Sequence, residues 1–168
     1  MNLNENLLKL ISRYESLHDG DLSTIGLQPK MDPVGIWTEG WGHAILDKNN
    51  KFVRGIANKK LAYSLSKVKT IEEANDLLIQ DMKPIFLIIE RKIKVTLNEN
   101  QVAALASFIY NTGGSDTLFN LINKKSPLIE KWWSEHYITG GGQKLKGLVF
   151  RRKSEALLFT TGELKLFY

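Results

Sequence analysis

The stretch Asp32-Pro33-Val34-Gly35-Ile36-Trp37-Thr38-Glu39-Gly40-Trp41-Gly42-His43 decides how the rest of the chain is read. It gathers acidic groups, a hydroxyl, two tryptophans, three glycines and a histidine within twelve residues. Asp-Pro followed by Gly reads as a turn. Ile36, Thr38 and Trp41 among the glycines read as strand with close backbone approaches. Working outward, residues 34–46 read as strand or hairpin. Asp47-Lys48-Asn49-Asn50-Lys51 is then a polar turn into a short Phe52-Val53 strand, and the small sheet ends near Gly55.

Upstream, residues 18–31 carry Gly20, Gly26 and Pro29 and read as loop. Before them Leu7, Leu8, Ile11 and Tyr14 recur at helical spacing, which predicts an amphipathic helix over 5–17. Glu15 then falls near its C-terminal end, where a negative charge is mildly unfavourable. Downstream, residues 57–66 suit a short helix. Thr70 is an N-cap followed by Glu72 and Glu73 in the favoured first turn. A long helix follows through Ala74, Leu77, Leu78, Met82, Ile85, Ile88 and Ile89, and Pro84 is expected to kink or divide it.

Asn98 with Gln101 forms a capping-box pattern, and Val102 to Tyr110 is apolar almost all round, as a central buried helix requires. Asn111-Thr112-Gly113-Gly114 ends it. Ser126 and Pro127 suit N-cap and N1 of a helix through Trp132 and Trp133. Gly140-Gly141-Gly142 is a break, and residues 148–160 form a last helix. The fold class is α+β with helix dominant, without internal repeats, low-complexity tracts or a linker.

The 168 residues are enough for one domain with a real interior, and 43% hydrophobic with 24% charged residues is ordinary for a soluble globular protein. The absence of cysteine excludes disulfides and thiolate metal sites and fits folding in a reducing cytoplasm. The opening Met1-Asn2-Leu3-Asn4-Glu5-Asn6 carries no signal-peptide pattern, and no apolar run approaches the roughly 20 residues that span a bilayer. A net charge of +5 favours an anionic partner such as cell-wall polymer, nucleic acid or a membrane surface. The lysines are spread along the chain, as on a generally basic solvated surface. Arg151-Arg152-Lys153 is too short for a nucleic-acid face, and no phosphate loop, nucleophile elbow or zinc pattern is present. No cofactor or metal is expected.

Glycoside hydrolysis needs two carboxylates, one protonated and one ionised. Glu15 at a helix end and Asp32 at a strand start could face each other. Thr38, six residues after Asp32, could help that carboxylate hold a water. Asp19, Asp21, Glu39 and Asp47 compete for the same roles. His43 reads as structural rather than a lone metal ligand. Trp37 and Trp41 suit either sugar stacking or the hairpin core, while Trp132 and Trp133 suit the helical core, one of them nearer the surface.

Asp32 to Thr38, followed by Gly40-Trp41-Gly42-His43, resembles the active-site segment of phage-type lysozymes, the endolysin muramidases. Three further segments agree in order: Leu97-Asn98-Glu99-Asn100-Gln101 through Ala104-Leu105 to Ser107-Phe108-Ile109-Tyr110-Asn111; Thr117-Leu118; and Gly147-Leu148 with Arg151-Arg152 and Glu155 to Phe159. The resemblance spans nearly the whole chain. It implies one lysozyme-like catalytic domain over 1–168. A small sheet-bearing N-terminal lobe (about 15–70) and a larger helical C-terminal lobe (about 71–168 with 1–14) would be joined by a long helix around a substrate groove.

The resemblance also implies roles. Glu15 would be the general acid, Asp32 the carboxylate that positions or activates water, and Thr38 the hydroxyl that assists it. Arg151 would pair with Glu15, and His43 with Asp81. Tyr110, Asn111, Ser115 and Thr117 would border the substrate, Asn111 contacting an N-acetyl or hydroxyl group. The implied reaction cleaves the β-1,4 bond between N-acetylmuramic acid and N-acetylglucosamine in peptidoglycan. The chain would act as a monomer without stable membrane insertion, accumulating in the host cytoplasm before release to the wall. A lytic transglycosylase and a non-catalytic peptidoglycan-binding module are the rival classes, and retaining or inverting stereochemistry stays open.

The sequence departs from the family in two places. Sixteen residues separate Glu15 from Asp32, twice the family's usual interval, which implies an insertion within 18–31 or a transfer of the Asp role to Asp19 or Asp21. The spacing from Asp32 to Thr38 is intact and favours Asp32. Glu39 replaces a usually apolar residue, and on a strand its side chain would point away from Thr38.

Overall fold

The computed structural model describes residues 4–168; the reading of Met1-Asn2-Leu3 as free of a leader lies outside the described residues. Along the chain come α1 (Glu5–Tyr14), β1 (Lys30–Met31), β2 (Trp37–Glu39), β3 (His43–Ala44) and a 3-10 turn (Ile56–Asn58). There follow α2 (Lys59–Leu65), α3 (Ile71–Lys92), α4 (Glu99–Thr112), α5 (Asp116–Asn123), α6 (Ile129–Glu135), β4 (Thr139–Gly140), β5 (Gln143–Lys144) and α7 (Lys146–Thr161). No helix among the described residues is long and apolar enough to cross a membrane.

Two compact units emerge: Glu15–Asp81, and Met82–Tyr168 together with the segment ending at Tyr14. The division falls inside α3 rather than at its start. The first half of α3 is tied to the sheet by side chains: Trp41 Nε1 donates to Asn75 Oδ1 at 2.8 Å, and His43 Nδ1 lies 2.9 Å from Asp81.

In the sheet-bearing unit β1, β2 and β3 pair antiparallel in that order. The expectation that residues 18–31 are all loop is corrected at its end, where Lys30 pairs with Thr38 and Met31 with Trp37. Trp37 is core, not a sugar platform: it is 4% exposed and packs with Ile45, Val53 and Ala62. Its Nε1 donates to the Gly55 carbonyl at 2.8 Å, and its ring meets Tyr63 edge to face at 6.1 Å. At the start of α3, Thr70 Oγ1 accepts the Glu73 N–H and Glu73 Oε2 accepts the Thr70 N–H, both at 3.1 Å. This reciprocal cap follows from the Thr-x-x-Glu spacing.

Pro84 does not divide α3, which runs unbroken through it. The proline removes one backbone donor, a cost of about 3 kcal/mol. Met82, Ile85, Phe86 and Ile89 are all buried around it, and each contributes about 1.5–3 kcal/mol. Packing therefore outweighs the missing rung.

In the helical unit the Asn98–Gln101 capping box opens α4, whose residues Ala103 to Ile109 are buried throughout. Two readings need correction. Ser126 and Pro127 do not begin α6, which starts at Ile129 with Leu128 as its cap residue. Ser126 Oγ instead accepts the Leu128 N–H at 3.2 Å, a hydroxyl-closed turn. The 140–142 glycines do more than break the chain. Gly141 (φ +57°) and Gly142 (φ +79°) take the left-handed turn of a two-residue hairpin joining β4 to β5.

The interior of this unit holds a buried ionic cluster. Glu155, wholly buried, accepts from Ser107 Oγ (2.7 Å), Arg151 Nε (3.1 Å), Arg152 Nη2 (2.9 Å) and Trp133 Nε1 (3.1 Å). Trp133 is fully enclosed, while Trp132 is half-buried and stacks on His136 at 4.3 Å.

Candidate active site in the sheet-bearing unit

Asp32 stands where β1 leaves the sheet and holds its own turn. Its N–H donates to the Ile36 carbonyl at 2.8 Å, and its carbonyl accepts the Gly35 N–H at 3.0 Å. Carboxylate Oδ1 accepts the Val34 N–H at 3.0 Å and the Ile36 N–H at 2.7 Å. Gly35 takes φ +84°, a conformation that only glycine adopts without strain. One carboxylate oxygen is thus fixed by backbone donors.

The register places the other partner. Lys30 lies opposite Thr38, and the Asp32 N–H to Ile36 carbonyl bond carries the pairing one residue past β1, so Asp32 falls on the same face of the ribbon as Thr38 and diagonally beside it. Glu39 falls on the opposite face. There its Oε2 accepts the Ser66 hydroxyl (2.9 Å), the Lys67 N–H (2.8 Å) and the Val68 N–H (3.0 Å). The departure from an apolar residue at 39 therefore serves a buried anchor for the chain leaving α2.

Thr38 is buried, and its Oγ1 donates to the Lys30 carbonyl at 2.9 Å. The same oxygen lies 2.5 Å from His18 Nδ1. The His18 N–H donates to the Gly40 carbonyl at 2.9 Å, so histidine and threonine are fixed to adjacent parts of the hairpin. Burial pushes the His18 imidazole below its ordinary value, helped by the Lys30 ammonium, while Glu15 and Asp32 oppose the shift. Both carboxylates therefore bear electrostatically on His18. Nothing in the sequence singled out His18, because its partner is remote along the chain.

Glu15 is the first residue beyond α1, half-buried, and α1 is shorter than the expected 5–17. The competing acids are used locally. Asp21 accepts from the Ser23 N–H and hydroxyl and from the Thr24 hydroxyl, which hold its carboxyl below the usual range. Asp19 Oδ1 accepts the Asp21 N–H at 3.2 Å. His43 and Asp81 form the pair the resemblance implies, and that hydrogen bond raises the imidazole above its ordinary value.

The remaining residues named from the sequence belong to the helical unit. Arg151 is buried, donating to Glu155 and through Nη2 to the Ser107 carbonyl at 3.2 Å. Tyr110 is half-buried and Asn111 exposed, both on the last turn of α4. Ser115 caps α5, its hydroxyl accepting the Leu118 N–H at 3.5 Å, and Thr117 is exposed in the first turn. Among the described residues no group of three or more His, Cys, Asp or Glu is gathered to hold a metal ion.

A small antiparallel sheet bearing an acid-headed turn, followed by a long helix and a predominantly helical remainder, defines a lysozyme-like α+β fold. Solved structures agree. A P22 lysozyme variant superposes with a TM-score of 0.69 at 23% identity, covering 95% of this chain and 98% of that one. The muramidase domain of SpmX from Asticaccaulis excentricus gives 0.63 at 23% identity, covering 94% and 97%.

The model of the phage lysozyme family matches residues 22–155, and the chain belongs to that family. An endolysin of Acyrthosiphon pisum secondary endosymbiont phage 1 is 28% identical over 167 residues, 95% of this chain and 98% of its own. A SAR-endolysin of Escherichia phage Mu is 28% identical over 153 residues, 89% and 78% respectively. The family match takes in Asp32, Thr38, His43, Asp81 and Arg151, and begins after Glu15 and His18.

Proposed function

We propose that the protein hydrolyses the β-1,4 glycosidic bond between N-acetylmuramic acid and N-acetylglucosamine in bacterial peptidoglycan. Glu15 gives its proton to the leaving glycosidic oxygen. A water held by Asp32 and Thr38 adds to the anomeric carbon and passes its proton to Asp32. The observation that carries this reading is the placement of Asp32 and Thr38 on one face of the β1–β2 ribbon, with Glu15 and Asp32 both acting on His18. The local commitment of Asp21 and Asp19 favours Asp32 for the water side. Arg151 is the proposed partner of Glu15, and Asn111, Tyr110 and Thr117 are proposed sugar contacts. Ser115 is retained with them, its hydroxyl hydrogen still available as a donor while its oxygen caps α5. The protein is proposed to work as a monomer on wall glycan, accumulating in the host cytoplasm before release. Its basic surface helps it approach an anionic envelope.

The test is lysis of purified wall by the wild type, Glu15→Gln and Asp32→Asn, with product analysis. Loss of the general acid is expected to slow cleavage about 10²–10⁴-fold; undiminished lysis by Glu15→Gln sinks the mechanism. Hydrolysis gives reducing ends one water heavier than the anhydro ends of a lytic transglycosylase, so product mass separates these reactions. A non-catalytic wall-binding module gives no products at all.

A further inference from the structure

We propose that His18 is a positioning residue of the site, making the Thr38 hydroxyl an obligate acceptor towards the attacking water. This rests on the water-side roles proposed above for Asp32 and Thr38.

The argument is a count of hydrogens. A threonine hydroxyl has one hydrogen and two acceptor lone pairs. Both contacts of Oγ1 are hydrogen bonds at once only if that hydrogen goes to the Lys30 carbonyl, 2.9 Å away, which can accept but not donate. The 2.5 Å contact with His18 Nδ1 must then use an Nδ1–H donating into a lone pair of Oγ1. The chain runs His18 Nδ1–H to Thr38 Oγ1–H to the Lys30 carbonyl, and it leaves one lone pair unused. The opposite tautomer would turn the Thr38 hydrogen towards His18 and strip the Lys30 carbonyl of this donor.

The consequence falls on the water. A hydroxyl free to rotate can donate to a water oxygen and occupy a lone pair needed for attack. A hydroxyl whose hydrogen is committed can only accept. The water then gives one hydrogen to Asp32 and the other to Thr38, keeping its oxygen lone pairs for the anomeric carbon. Burial of His18 beside Lys30 supports the arrangement by favouring the neutral ring against the pull of Glu15 and Asp32. Lys30, Glu15 and Asp32 are the charged groups that bear on it.

Two measurements test this. In the ¹⁵N spectrum of the intact protein near neutral pH, His18 is expected to be protonated at Nδ1 and bare at Nε2; the reverse tautomer overturns the proposal. In wall cleavage, His18→Ala is expected to lower kcat about tenfold with KM little changed, within the loss a misplaced reacting group can cause. His18→Asn, whose amide N–H can occupy the place of Nδ1–H, recovers most of that loss. In a Thr38→Val background, His18→Ala is expected to add nothing. A folded His18→Ala with wild-type kcat, or equal losses with and without Thr38, overturns the proposal. A wild type that cleaves no glycan overturns the proposed reaction and the water-side role with it, while the spectrum still reads the hydrogen-bond chain by itself.

Discussion

His43 and Asp81 are joined by hydrogen bonds of 2.9 and 3.0 Å from the imidazole Nδ1 to the two carboxylate oxygens, linking β3 to α3. The raised imidazole makes this link pH-dependent in a definite sense. A group that binds its proton more tightly when folded contributes its full stability below its unfolded value, and loses it as pH rises through the folded one. Asp81→Asn is therefore expected to cost about 1–2 kcal/mol at about pH 5, after discounting for partial exposure, and distinctly less at about pH 9. Urea midpoints of the two proteins at each pH check the sign.

Glu39 joins β2 to the segment after α2 through three donors. Glu39→Ala leaves the buried Val68 N–H without this acceptor, at about 1–3 kcal/mol, and frees the less buried Lys67 N–H to water at a smaller cost. A thermal midpoint lowered by several degrees is expected, while a midpoint unchanged from wild type would mean that water takes over the carboxylate's role.

Asp32 has two jobs that substitutions can separate. Asp32→Asn keeps a carbonyl-type oxygen for the Val34 and Ile36 N–H groups but loses the charge. The protein should unfold near the wild-type midpoint while wall cleavage falls about 10²-fold or more. Asp32→Ala also loses the turn, at about 1–2 kcal/mol more. Chemical denaturation run beside the activity assay distinguishes the two losses.

Glu155, at 0% exposure, is the shared ion-pair partner of two buried guanidinium groups, Arg151 (2%) and Arg152 (0%). Glu155→Ala leaves both cations in the interior of the helical unit and is expected to cost about 3–5 kcal/mol. Loss of the near-ultraviolet signal of the enclosed Trp133 would report the collapse. A variant as stable as wild type would show that the cluster is neutralised by other means.

Features set by neighbouring residues were legible in the sequence. The Asn98–Gln101 and Thr70–Glu73 caps and the Asp32 turn all depend on spacings of two to four residues. Features set by remote partners were not. Lys30-Met31 is a strand because Trp37 and Thr38 lie beside it, and two residues carry no period of their own. Pro84 stays inside α3 because of what packs around it. His18 carries no local mark, since its role depends on Thr38 twenty residues on. The roles of Asp32 and Thr38 were suggested by type and spacing, while the direction of the Thr38 hydrogen needed three-dimensional partners.

The turn at Asp32 closes on itself within five residues, its carboxylate and backbone bonding to Val34, Gly35 and Ile36. The aim of that carboxylate is therefore independent of how much chain precedes β1. Between His18 and β1, the exposed segment Leu22 to Ile25 can lengthen, shorten or change composition without re-aiming the acid beyond it. That insulation makes the segment the part of the sheet-bearing unit most open to drift, and the natural place to graft a new recognition loop.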